Sequence, residues 1–273
     1  MHLDEKETLL ASTLYGYGSM AIAFSGGVDS SYLCAVAVEA LGSNALAVTI
    51  DSPLVPRSEL SEACSIASIV GIRHIILNEA SLDSTVSSNP PDRCYHCKLL
   101  TMKTITQAAA AEGINIVAEG SNLDDLSDYR PGRRASLELG IRTPLADVGL
   151  SKSDIRELSR RRSLPTWDKP SFACLASRIP YGESLDTETL SRIEAAEIYL
   201  HTSGFKQMRV RSHGTIARIE VARDERTRLF DESRLDDISS YFKRLGFTYV
   251  CMELEGYTMG SLNKPLDTEG TTR

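Results

Sequence analysis

Three observations predict an α/β fold followed by a smaller α+β domain. Through about residue 160, short apolar or β-branched runs alternate with helix-patterned stretches. A stretch dense in Pro and Gly follows, and beyond it two strand patterns lie side by side with helices around them.

In chain order, strands are expected at AIAF (21–24), ALAVTI (45–50), HIILN (74–78) and INIVAE (114–119). Helices are expected between them at YLCAVAVEAL (32–41), SELSEACSIASIV (58–70) and CKLLTMKTITQAAAAEG (97–113). Strand–helix alternation implies right-handed crossovers and a mostly parallel sheet covered on both faces. LPTWDKPSF and SRIPYGES read as ordered loop. ETLSRIEAAEIYL then reads as a helix, QMRVRSHGTIARIEV as two strands about a short turn, ESRLDDISSYFKRLG as a helix and FTYVCMELEG as a last strand. The expected domains are residues 1–165, a linker 166–185 that carries Cys174, and residues 186–273. No internal repeat and no low-complexity segment interrupts this order.

The 273 residues are 42% hydrophobic and 25% charged, which is ordinary globular composition. A formal charge of −7 disfavours a protein that holds nucleic acid mainly by phosphate neutralisation, leaving only a local basic patch such as SRRRS (159–163). No run approaches the roughly 18 apolar residues of a membrane helix, and the acidic N-terminus lacks a signal-peptide core, so a cytoplasmic protein is expected. Six cysteines are too few for a disulfide scaffold in a chain of this length. Cys34 and Cys64 within helices and Cys251 within a strand read as small buried hydrophobes.

The sharpest motif is AIAFSGGVDSSYLCAVAVEAL, a strand, a loop and a helix. Gly26 and Gly27 allow a tight turn that brings backbone N–H groups to an anion, and the helix N-terminus adds its positive end. Ser25 and Ser30 supply hydroxyl donors, and Asp29 caps the helix or orients the loop. No Lys of the G-x-x-x-x-G-K-[ST] type is present, so this is not a Walker A loop. EGSNLDDLSDYRPGRRA (119–135) mixes Asp124, Asp125 and Asp128 with Arg130, Arg133 and Arg134, a set suited to Mg²⁺ and triphosphate rather than to a core, with a solvated charged loop as the lesser alternative. RCYHCK (93–98) holds a Cys-x-x-Cys pair, whose spacing serves zinc, a redox dithiol or an iron–sulfur group alike. Cys174, between Pro170 and Pro180 and near Arg178, sits where a working cysteine is expected. Arg178, Arg209, Arg211 and Arg218 offer forked donors for phosphate or carboxylate, with Glu197 and Glu220 available to orient them.

The SGGVDS stretch resembles the PP-loop of ATP pyrophosphatases. WDKPSFACLASRIPYG, together with SGGVDS, SDYRPG and EGYTMGSLN, resembles the LarE family of sulfur transferases over nearly the whole chain. That resemblance implies a PP-loop (adenine nucleotide α-hydrolase-like) domain using ATP and Mg²⁺, with Ser25, Gly26, Gly27, Asp29, Ser30, Asp51, Gly120, Asp128 and Arg130 at the nucleotide. It implies adenylation of a carboxylate of pyridinium-3,5-biscarboxylic acid mononucleotide and replacement of its oxygen by sulfur, on the way to a nickel-pincer cofactor of lactate racemase. Ser177, Arg178, Glu197, Arg209 and Arg211 would contact this small-molecule substrate. In one branch a lone cysteine matching Cys174 gives up its own sulfur. In the other, favoured here, Cys94, Cys97 and Cys174 hold a 4Fe-4S cluster that carries sulfide from an outside donor. A homo-oligomer is implied as well. The rival readings are a tRNA thiolation enzyme of the same superfamily, a non-catalytic nucleotide-binding redox sensor, structural zinc and a disulfide.

Overall fold

Strand β1 (Met20–Ala23) is almost wholly buried, and the computed structural model, which describes residues 1–126, 131–170 and 173–258, shows why. β1 pairs in parallel with β2 (Ala45–Asp51) on one side and β4 (Val117–Glu119) on the other, and β2 pairs in parallel with β3 (Arg73–Asn78). The order is β3-β2-β1-β4, so successive crossovers run one way from β1 and the last returns to its opposite side.

Side-chain alternation divides the faces of this sheet. Met20, Ile22, Ala45 and Ala47 pack with helices α1 (Leu3–Tyr17), α2 (Val28–Leu41) and α3 (Arg57–Val70). Ala21, Leu46 and Val48 pack with Met102, Ile105 and Ala109, which lie beyond a short helix α4 (Ser84–Ser87) on the long helix α5 (Arg93–Ala111). Helices α6 (Pro131–Glu138), α7 (Pro144–Asp147) and α8 (Lys152–Arg161) complete this part of the chain.

After α9 (Thr187–Thr202), β5 (Met208–His213) and β6 (Ile216–Val221) form an antiparallel pair. β7 (Tyr249–Met252), which follows α10 (Glu232–Arg244), adds to β6 in parallel. Phe205, Val210, Ile219, Phe242 and Phe247 make a core of their own. The structure therefore has the expected class, a parallel α/β sheet domain with a smaller α+β C-terminal domain. Two compact units result: one comprises Met1–Ala80 and Asp92–Phe172, and the other Ser81–Pro91 with the chain from Ala173 onward. Among the described residues, no helix is long and apolar enough to cross a membrane.

Two expectations are corrected at this level. Cys34 is fully buried, as expected, but Cys64 is half-buried and Cys251 exposed, because β7 is an edge strand whose alternate residues Tyr249 and Cys251 face outward. The SRRRS run is not a free basic patch. Arg160 and Arg161 pair with Glu157, Arg161 also with Asp4, and Arg162 with Glu7 and Glu39. Bonds from Arg160 and Arg161 hold the exposed Glu157 carboxyl down to about 2.

Candidate active site

In open parallel sheets, ligands bind beyond the carboxyl ends of the strands where the strand order switches direction. Here that point lies between β1 and β4. The Ser25–Ser30 loop leaves β1 there, Glu119 and Gly120 leave β4, and Asp51 ends β2. Gly120 is required by close packing, since a Cβ on it would stand 2.8 Å from the backbone N of Ser30. Gly26 has φ +67°, and a Cβ there would come within 2.9 Å of the Ala63 backbone on α3. Ser25 Oγ lies 3.2 Å from Ser30 Oγ, which donates to Gly27 O at 3.2 Å.

Asp29 stands in the first turn of α2. Its Oδ2 accepts from Lys152 Nζ at 2.7 Å and from Asn122 Nδ2 at 3.4 Å. Oδ1 is buried with no hydrogen-bond partner among the described residues. Burial raises the Asp29 carboxyl above its ordinary value, against the pull of Lys152. Asp125 accepts from Asn122 N, and Asp124 accepts from Lys152 N at the start of α8. Asp51 pairs with Arg57 at 2.5 Å. Arg133 donates to Leu126 O, and Arg134 lies over the Tyr95 ring at 3.8 Å and pairs with Glu138. Asp128 and Arg130 lie outside the described residues, as does the chain beyond Thr258.

Cys94 and Cys97 occupy the first turns of α5, three residues apart and so on neighbouring parts of one helix face. Cys94 is exposed and Cys97 half-buried. The next residue, Lys98, forms an ion pair with the buried Glu119 at the end of β4. That link, followed by Gly120 against Ser30, connects the cysteine end of α5 to the glycine loop. His96 pairs with Asp92 at 3.1 Å.

In the second unit, Cys174 caps a 3₁₀ turn, Leu175–Arg178, and is half-buried. Arg178, expected as a cation facing substrate, is instead 0% exposed and holds this turn. It donates to Ala173 O at 2.6 Å, Cys174 O at 3.0 Å and Ser177 Oγ at 2.9 Å. Its other edge meets both oxygens of Glu197, at 3.0 and 2.9 Å. Glu197 also accepts from Val210 N, tying α9 and β5 to the turn. Arg211 is likewise buried, pairs bidentately with Glu220, and donates to Ser177 O at 2.5 Å. Arg218 shares Glu220 and reaches Glu253. Arg209 lies 5.2 Å from the Tyr257 ring, and burial together with the charge of Arg178 lowers its pKa.

Among the described residues, no group of three or more His, Cys, Asp and Glu side chains converges as a metal site. None of the six cysteines forms a disulfide.

No protein-family model matches the chain. It is 34% identical over 268 residues, 97% of this chain and 96% of the relative, to the pyridinium-3,5-bisthiocarboxylic acid mononucleotide synthase of Lactiplantibacillus plantarum. The chain belongs to the LarE family. The same family likeness extends to an uncharacterized protein of Synechocystis sp., 43% identical over 90% of this chain and 92% of the relative. An uncharacterized protein of Methanocaldococcus jannaschii is 31% identical over 86% of this chain and 89% of the relative. Two members of the cluster around the glycine loop, Lys152 and Lys98, escaped the sequence reading. A lysine on a helix face carries no local signal of the carboxylate it will meet.

Proposed function

We propose that this LarE-family chain is an ATP-dependent sulfur transferase of nickel-pincer cofactor biosynthesis. Its substrate is pyridinium-3,5-biscarboxylic acid mononucleotide, a reading supported by the bisthiocarboxylic acid product for which the Lactiplantibacillus relative is named. The observation that carries the ATP half is the glycine loop at the strand-order switch, with the unpartnered Asp29 Oδ1 beside it.

In the first step, a substrate carboxylate oxygen bonds to the α-phosphorus, and the α–β bridging oxygen leaves with pyrophosphate. Backbone N–H groups of the loop and the hydroxyls of Ser25 and Ser30 hold the departing phosphates. Mg²⁺ binds proteins through one or two carboxylates plus substrate phosphates, so the unpartnered Asp29 oxygen fits such an ion without a larger protein cage. The ion would supply charge compensation for the phosphates. In the second step, sulfur bonds to the acyl carbon and AMP leaves with the former carboxylate oxygen, giving the thiocarboxylate. The guanidinium of Arg209 suits the substrate's phosphate or a carboxylate, whereas Arg211, expected to share that role, is engaged by Glu220 and Ser177 O and supports the Cys174 turn. Arg178, Ser177 and Glu197 keep the Cys174 turn in shape.

The thiols that would hold a 4Fe-4S cluster are Cys94, Cys97 and Cys174, none in a disulfide and all at least partly open to solvent. Such a group would supply transferable sulfide replenished from an outside donor. Sacrifice of the Cys174 sulfur is the alternative source: its thiolate would displace AMP, and loss of the α-proton with cleavage of the Cβ–Sγ bond would release the thiocarboxylate and leave dehydroalanine. A homo-oligomeric, cytoplasmic enzyme is part of the same reading.

Anaerobic purification with iron, zinc and acid-labile sulfide analysis tests the sulfur source. Close to four irons and four or more sulfides per chain support the cluster. Zinc alone makes the pair structural, and a metal-free active protein assigns the sulfur to Cys174.

A further inference from the structure

Lys169 belongs to the WDKPSF stretch, yet its side chain is directed to the backbone of the glycine loop. Its ammonium donates to Gly26 O at 3.3 Å and pairs with Glu59 at 2.8 Å and Glu62 at 3.0 Å, both on α3. Only 11% of the side chain is exposed. Three acceptors match the three N–H bonds of an ammonium. The lysine's own backbone is also fixed: Lys169 N donates to Thr166 O, and Arg156 of α8 donates to Trp167 O and Lys169 O at 3.0 and 2.9 Å.

Gly26 is thus gripped twice by α3, through contact with Ala63 and through the lysine bridge to Glu59 and Glu62. No cis peptide bond occurs among the described residues, and a trans peptide directs its C=O and the following N–H in opposite senses. Holding Gly26 O toward Lys169 therefore aims Gly27 N–H away from it. Gly27 is the N-cap of α2, and among the described residues its N–H has only a 3.4 Å contact with Ser25 Oγ, a long and weak bond.

We infer that Lys169 is a positioning residue for ATP: it sets the orientation of the Gly26–Gly27 peptide so that Gly27 N–H faces the β- and γ-phosphates. This rests on the reading of the loop as a phosphate cradle. With its ammonium engaged by two carboxylates, Lys169 acts through the direction of an amide rather than by touching the nucleotide.

The test is calorimetric titration of ATP and of AMP into the full-length wild type, Lys169→Met and Lys169→Arg. Lys169→Met is expected to bind ATP about tenfold more weakly, the loss of one charge-assisted contact, with AMP affinity unchanged. Lys169→Arg, which keeps a cationic donor, recovers most of the ATP affinity. An unchanged ATP-to-AMP affinity ratio in Lys169→Met overturns the inference, as does an equal loss of both ligands or an arginine variant as weak as the methionine one. Should Lys169→Met not fold, Glu59→Gln weakens the same anchor and decides by the same ratio. If the wild type itself binds no ATP, the reading of the loop falls and takes the inference with it.

Discussion

Single side chains here divide into those that meet chemistry and those that hold them still. Cys174→Ala is expected to abolish sulfur transfer while pyrophosphate release continues, because adenylation needs only the loop and the substrate. A variant that transferred sulfur at the normal rate would remove Cys174 from the reaction. Arg178→Met leaves Glu197 without its fork in a buried setting, and breaking such a pair costs about 3 kcal/mol, readable by urea unfolding. Asp29 makes the opposite use of burial. Its carboxyl is raised, so from about pH 4 upward the native state holds a proton that the unfolded chain has released, and stability falls as pH rises through that window. Asp29→Asn lacks this term. Its stability relative to wild type should therefore improve as pH rises from about 4 and then level off, with ATP use lost. A difference that stays flat with pH would contradict this.

At the scale of elements, the close approach between β4 and α2 matters most. Gly120→Ala would push a methyl group to 2.8 Å from Ser30 N, so the loop must shift. Lower ATP affinity is expected with little change in secondary structure by circular dichroism. α9 begins at Asp186, which accepts from Thr189 N at 2.7 Å. Asp186→Ala should cost about 1 kcal/mol in an unfolding titration, the usual value of a lost N-cap. Periodicity made most of these elements legible: α2, α3, α5, α9 and α10 and all seven strands lie where apolar spacing put them, within a few residues. The short α4 and α7 had no such signal, because helices of four residues have too few turns to show a period.

For the whole molecule, charge decides between the leading reading and its RNA rival. The net charge is −7, and each arginine of the SRRRS run already has a carboxylate partner. A gel shift at physiological salt should show no retained tRNA, whereas tight binding would favour the thiolation rival. Unit composition is the other property of the whole. Ser81–Pro91 joins the second unit, where Asn89 Nδ2 donates to Pro180 O and Glu183 O and Gly182 N donates to Asn89 O. No local pattern announces bonds that span some ninety positions.

The sequence by itself determined the α/β class, the order of the strands, the glycine loop and the cysteines, because hydrophobic period and turn chemistry act over a few residues. The tertiary structure alone decided the destinations of the long polar side chains. Arg178 and Arg211 turned inward to glutamates, Lys152 met Asp29, and Lys169 reached the back of Gly26. A buried charge must find its partner wherever the fold brings one, and that partner is set by packing, not by neighbours in the chain.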